Sequence, residues 1–161
     1  MTGLNLTSLE IERMIKVKIS VGSDHAGFEL KEHVKKYLES KGIEFVDEGT
    51  YSTESVDYPV FAKKVVDDLK NKKADYGILI CGTGLGMSIT ANKFEGIYAA
   101  LCLYPTMAKY ARMHNNANVL VMAGRLMGPT LADETIDTFF STNFEGGRHE
   151  RRLNEIKDFE K

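Results

Sequence analysis

A few short stretches of this sequence hold residue types that do chemistry. Cys81-Gly82-Thr83-Gly84-Leu85-Gly86-Met87 sets a thiol directly against three glycines. Glycines let backbone N–H groups close on an anion, and a thiol beside such amides and a helix N-terminus is biased toward thiolate. Asp24-His25-Ala26-Gly27 joins a carboxylate to an imidazole, and His114-Asn115-Asn116 offers a second imidazole. Arg148 and Arg152 follow Gly146-Gly147 at a spacing of four, which puts both guanidiniums on one helix face and suits a phosphate. Each stretch alone has a plainer explanation. The glycines also suit a tight strand-to-helix turn, the asparagines a helix stop, and the arginines a solvated basic surface. Taken together, a thiol, an amide nest, histidines and a phosphate clamp fit proton transfer beside a carbonyl on a phosphorylated metabolite.

Other chemistries fit less well. The glycine run follows the third strand rather than the first, and no carboxylate closes the next strand, Leu101-Cys102-Leu103-Tyr104, so a dinucleotide fingerprint is a poor match. No Gly-Lys-Ser/Thr ending makes it a nucleotide P-loop. Cys81 and Cys102 form no Cys-x-x-Cys pair and have no Cys or His at ligand spacing, so neither a metal nor an organic cofactor is expected. Cys102, inside Ala-Ala-Leu-Cys-Leu, reads as a core thiol. His33 reads as structural or solvated, and His149 as solvated.

The elements that must position these residues follow from alternating patterns. Apolar runs at Ile15–Val21, Phe45–Val46, Tyr76–Cys81, Ala99–Leu103 and Val119–Ala123 read as strands, the third and fifth buried on both faces. Leu30, Val34, Tyr37 and Leu38 mark a helix stopped at Gly42, and Phe61, Val65 and Leu69 a helix opened at Pro59. Residues 128–140 and 147–159 read as two last helices. The order βαβαβαβαβα predicts an α/β class: one three-layer α/β/α, Rossmann-like domain with a five-stranded parallel sheet. Ligands then sit beyond the strand carboxyl ends, which directs attention to loops 22–27, 47–58, 81–87, 103–106, 113–116 and 124–128.

Composition limits the partners. In 161 residues, 43% are hydrophobic and 27% charged, an ordinary globular balance. Twenty-one Lys and Arg against 23 Asp and Glu give a net charge of −2, so no footprint for nucleic acid or anionic membrane is present. No apolar run approaches a membrane span, and two cysteines make no disulfide framework, so a cytoplasmic location is expected. Residues 1–13 read as an added leader or alternative start, with a short amphipathic helix as the other reading; the domain proper is expected over 14–161.

Val21-Gly22-Ser23-Asp24-His25-Ala26-Gly27, Asp57-Tyr58-Pro59, Cys81-Gly82-Thr83-Gly84-Leu85-Gly86-Met87-Ser88, Ala91-Asn92-Lys93, His114-Asn115 and Ala123-Gly124-Arg125 resemble the type B ribose-5-phosphate isomerases, over residues 14–155. The wider family includes isomerases of galactose 6-phosphate and allose 6-phosphate. The resemblance implies interconversion of D-ribose 5-phosphate and D-ribulose 5-phosphate in the pentose phosphate pathway, without metal or cofactor. It further implies a homodimer with active sites built from both chains; whether dimers pair into tetramers is left open. By motif, Cys81 would be the base, with His114 and Asp24 assisting ring opening. The 82–86 amides, those of Gly82, Gly84, Leu85 and Gly86 among them, would hold the enediolate beside Thr83. His25, Arg148 and Arg152 would bind phosphate, with Arg125 adding charge, Asn115 taking a sugar oxygen and Tyr58 lining the substrate. A hexose 6-phosphate isomerase and a non-catalytic phosphosugar-binding regulator are the competing readings.

Overall fold

A computed structural model describes residues 6–160, except the side chains of residues 13–15. Its five strands are β1 (Lys18–Ser23), β2 (Glu44–Asp47), β3 (Tyr76–Cys81), β4 (Ala99–Leu101) and β5 (Val119–Ala123), paired in the order β2-β1-β3-β5-β4 and parallel throughout. The helices are α1 (Ser8–Ile15), α2 (Phe28–Ser40), α3 (Tyr58–Lys70), α4 (Leu85–Ala91), α5 (Pro105–Asn115), α6 (Pro129–Ser141) and α7 (Arg148–Asp158). Among the described residues, no helix is long and apolar enough to cross a membrane.

Two-residue alternation on the central strands builds two cores. Ile78 and Ile80 of β3, with Leu120 and Met122 of β5, face α2, α5 and α6 through Val34, Leu38, Ala108, Ile136 and Phe139. Leu79, Cys81, Val119 and Val121 face the other way, onto Ala62, Val65 and Val66 of α3 and Met87 of α4. The expected three layers are therefore present.

The predicted first strand needs correction at its start. Residues 15–17 are apolar enough to continue it, but Ile15 ends α1 and the ladder begins at Lys18, which lies opposite Glu44. Ile19 then meets Tyr76. Among the described residues, no partner strand runs alongside the backbone before Lys18, and pairing rather than hydropathy ends the strand. Upstream, Thr7 and Glu10 form a reciprocal cap, with Thr7 N–H donating to Glu10 Oε2 at 2.7 Å and Glu10 N–H to Thr7 Oγ1 at 3.3 Å. α1 then packs on α6, with Leu6 against the core. Of that segment, the helix is described from Ser8, and residues 1–5 lie outside the described residues.

Lys31 is the unexpected core residue. It is fully buried on α2, with Nζ 2.7 Å from Asp47 Oδ1 at the end of β2. Burial alone would raise the Asp47 carboxyl; hydrogen bonds from Lys31, Lys35 and the Gly49 amide outweigh it and hold it below its ordinary range.

The strand order reverses between β1 and β3: the chain leaves β1 for β2 on one side and reaches β3 on the other. α2 follows β1 on one face of the sheet and α4 follows β3 on the opposite face. A crevice at the carboxyl ends of β1 and β3 is where such a sheet takes a ligand.

Candidate active site

Three loops meet at that crevice. Cys81 ends β3, and Asp24 directly follows β1 with its N–H donating to the Ile80 carbonyl at 3.2 Å. The loop after β5 is stitched to the thiol's own backbone: Gly124 N–H donates to the Cys81 carbonyl at 2.8 Å and Arg125 N–H to the Gly82 carbonyl at 3.0 Å.

Glycines allow this convergence. A side chain at Gly27 would strike the Ile80 carbonyl oxygen at 2.4 Å, and one at Gly124 the Ala26 carbonyl oxygen at 2.8 Å. Gly84, with φ +78°, caps α4 in the left-handed region that other residues avoid. Leu85 N–H reaches Thr83 Oγ1 at 3.3 Å, so the turn into α4 is held by its own hydroxyl.

The side chains are arranged around this turn. Cys81 is 5% exposed and packs on the α3–α4 face. The buried Asp24 carboxylate accepts from Gly27 N–H at 3.0 Å. His25 Nδ1 accepts from Val56 N–H at 3.2 Å, so the neutral ring carries its proton on Nε2, available to an oxyanion. The Tyr58 ring lies over Gly86, with Cζ 2.5 Å from where a β-carbon would stand. Arg125 runs across Gly82, its Nη1 3.3 Å from the corresponding point. The structure thus brings Cys81, Asp24, Thr83, His25, Tyr58, Gly82, Gly84, Leu85, Gly86 and Arg125 together at this crevice.

His114, Asn115, Arg148 and Arg152 are elsewhere, which corrects the expectation that loop 113–116 lies on the ligand side. α5 starts beyond the carboxyl end of β4 and runs back for 11 residues, about 16 Å, so its last turn reaches the amino ends of the strands. β5 begins four residues after Asn115 and climbs back to Ala123, the partner of Cys81. The two groups are separated by the length of the sheet, about 15 Å.

At that far end a second cluster has formed. The His114 ring stacks on His149 at 4.1 Å and 10°, and against Tyr110 at 5.0 Å. Glu145 Oε2 is 3.5 Å from His149 Nε2 and 3.9 Å from His114 Nε2. The expectation of a solvated His149 is wrong: it is 7% exposed. Desolvation first, then the charges of His114 and Arg148, hold its imidazole below the ordinary histidine range, while Glu145 opposes them. The signal was present in the sequence, because His149 and Leu153 lie at i, i+4, on the face of α7 that turns inward. Arg148, Arg151 and Arg152 are exposed around it.

The donor atoms of His114, Glu145 and His149 lie within 4.8 Å of one another, near enough to suggest a metal site. The ring stacking argues against it. An ion must lie close to the plane of each imidazole that binds it, and two rings 10° from parallel and 4.1 Å apart cannot share one without turning.

Comparison with known proteins adds relatives across most of the chain. The ribose/galactose isomerase family model matches residues 19–156. Ribose-5-phosphate isomerase B of Escherichia coli is 44% identical over 143 residues, 89% of this chain and 96% of that protein. The crystal structure of a ribose 5-phosphate isomerase from Thermotoga maritima superposes with a TM-score of 0.88 at 64% identity, covering 89% of this chain and 99% of that one. Ribose-5-phosphate isomerase B of Mycoplasma genitalium, solved with bound ribulose-5-phosphate, gives a TM-score of 0.85 at 41% identity over 90% and 97% of the two chains.

Proposed function

Because this chain belongs to the ribose/galactose isomerase family, we propose that the crevice at β1 and β3 is its isomerase site, with Cys81 as the base. The reaction is the interconversion of ribose 5-phosphate and ribulose 5-phosphate, as in the named relatives. One observation carries the assignment of the base: the buried Cys81 stands at the end of β3, immediately before a left-handed glycine turn that opens a helix.

With the sugar open, Cys81 as thiolate takes the proton from C2. The C2–H electron pair forms the C1–C2 double bond, and the carbonyl electrons move onto O1. The resulting enediolate is negative on oxygen, and fixed amides of the 82–86 turn offset that charge without reorganising. The thiol then returns its proton to C1, taken up by the C1–C2 double-bond electrons, while the O2 proton passes to O1 and the O2–H electron pair forms the C2 carbonyl, leaving the ketose and the thiolate. His25, through Nε2–H, takes part of the phosphate.

A second copy of the chain completes the site. His114 and Asn115, for ring opening and sugar binding, and Arg148 and Arg152, for phosphate, lie a sheet's length from Cys81 in one chain, too far to serve its own crevice. A homodimer that sets the amino end of one sheet against the carboxyl end of the other brings them together, twice by symmetry. Exposed Leu85, Ile89, Tyr104 and Leu126 around the crevice suit such a contact. The phosphorylated substrate and two free thiols fit the cytoplasm.

The test is direct. Incubated without added metal, the protein should convert ribose 5-phosphate to ketose with kcat/KM about tenfold or more above that for allose 6-phosphate or galactose 6-phosphate, because pockets reject an extra carbon to about that degree. The reverse order would make it a hexose phosphate isomerase. Tight binding without turnover of any of them would leave a phosphosugar-binding regulator.

A further inference from the structure

His149 has no part in the reaction as set out above, yet its placement is not that of a structural residue. It is 7% exposed, and its Nε2 is buried without a hydrogen bond among the described residues. Proteins seldom bury a ring nitrogen unsatisfied unless the position serves something else. What the ring does instead is lie flat on His114, at 4.1 Å and 10°, while the tilted Tyr110 ring stands 5.0 Å from the same imidazole.

We propose that His149 is a positioning residue for His114, holding its imidazole flat against its own ring, with Tyr110 and Glu145 alongside, so that its open edge is presented to the sugar. The inference rests on the reading that His114 assists ring opening. His114 sits in the last turn of α5, a third exposed, with side-chain torsions that solvent alone would leave free. A base or acid that must meet a sugar oxygen contributed across a subunit boundary gains most from a fixed ring, since small misplacements are costly in rate. The clamp is tied on its own side: Glu145 N–H donates to the Met113 carbonyl at 3.0 Å, fastening the loop before α7 to the end of α5. Glu145 also stands between the two ring nitrogens, within 3.5 Å of one and 3.9 Å of the other. A shift of a few tenths of an ångström would let its carboxylate hydrogen-bond His149, and through the stack the orientation of His114 is set.

Three variants separate this from simple packing: His149→Ala, His149→Phe and, as a neighbour outside the stack, Arg151→Ala. His149→Ala should lower kcat for ribose 5-phosphate about tenfold with KM within about twofold, because the phosphate contacts remain while His114 loses its fixed plane. His149→Phe keeps a flat ring on His114 and should recover most of that loss; Arg151→Ala should change neither constant. The inference is overturned if His149→Ala turns over at the wild-type rate. It is equally overturned if His149→Phe is no better than His149→Ala, or if KM rises as steeply as kcat falls. Should His149→Ala prove unfolded by its melting curve, the Phe variant decides: wild-type kcat supports the clamp, and a tenfold loss in a folded protein rejects it. The site itself is checked separately with Cys81→Ala; an inactive wild type would remove the isomerase reading, whereas active wild type with active His149→Ala removes this inference alone.

Discussion

The two cysteines differ in what their surroundings allow. Cys102 lies in the core on the α2–α5–α6 side, 1% exposed, and burial pushes its thiol up to about 12. It stays protonated at any pH the fold meets and cannot act as a base. Cys81 is also enclosed, but its strand ends with it, and the next residues are the glycine turn rather than apolar packing. Replacing Cys81 by Ala should therefore lower kcat about 10²–10⁴-fold, the usual cost of a lost general base, with substrate binding largely retained. Replacing Cys102 by Ala should leave kcat unchanged and cost about 1 kcal/mol of stability as a small core truncation. Steady-state kinetics and thermal unfolding on the pair check both at once. A Cys81→Ala variant with most of its kcat would mean that the proton moves by another group.

The elements carry the argument that single residues could not. α7 presents three arginines, and only geometry distinguishes them. Arg148 and Arg152 are four residues apart and share a face, while Arg151 is about 100° round the helix from Arg152. Charge-assisted contacts to a phosphate are worth about 1.5–3 kcal/mol each, so Arg148→Ala or Arg152→Ala should cost about tenfold or more in kcat/KM and Arg151→Ala little. Equal small effects at all three would leave α7 a solvated basic face. The same scale explains what the sequence could and could not tell. β3 and β5 were legible to the residue because continuous apolar runs between helices have no other use in a parallel sheet. The start of β1 was not, since nothing in Ile15-Lys16-Val17 says that its neighbours begin only at Glu44 and Tyr76. The glycine turn, Asp24 and His25 were legible because each directly follows a strand. Loop 113–116 reads as part of the ligand side, yet its place at the other end is implied: a loop that enters a strand lies at the amino end, and one that leaves it at the carboxyl end. His149 reads as solvated because charged residues flank it, and only its spacing with Leu153 marks it as inward-facing.

At the scale of the molecule, the separation of the two residue groups becomes a statement about assembly. One chain offers the thiol, the amide turn, Asp24 and His25 at one end of the sheet, and His114, Asn115 and the α7 arginines at the other. A dimer in which each site draws on both chains predicts complementation. Cys81→Ala homodimers lack the base at both sites, and His114→Ala homodimers lack the ring-opening imidazole at both. In a mixed dimer the two lesions fall in the same site, because the site with the mutated Cys81 is completed by the chain carrying the mutated His114. The other site receives an intact Cys81 from one chain and an intact His114 from its partner. Random re-pairing makes about half of the dimers mixed, each with one restored site of two, so equal amounts of the two variants, co-expressed or unfolded and refolded together, should regain about a quarter of wild-type activity. If each chain instead served its own site, every site in the mixture would carry one lesion, and activity would stay at the level of the separate variants. Activity of the re-paired mixture against the unmixed proteins measures the difference, and the restored fraction should vanish when either variant also carries the other's substitution.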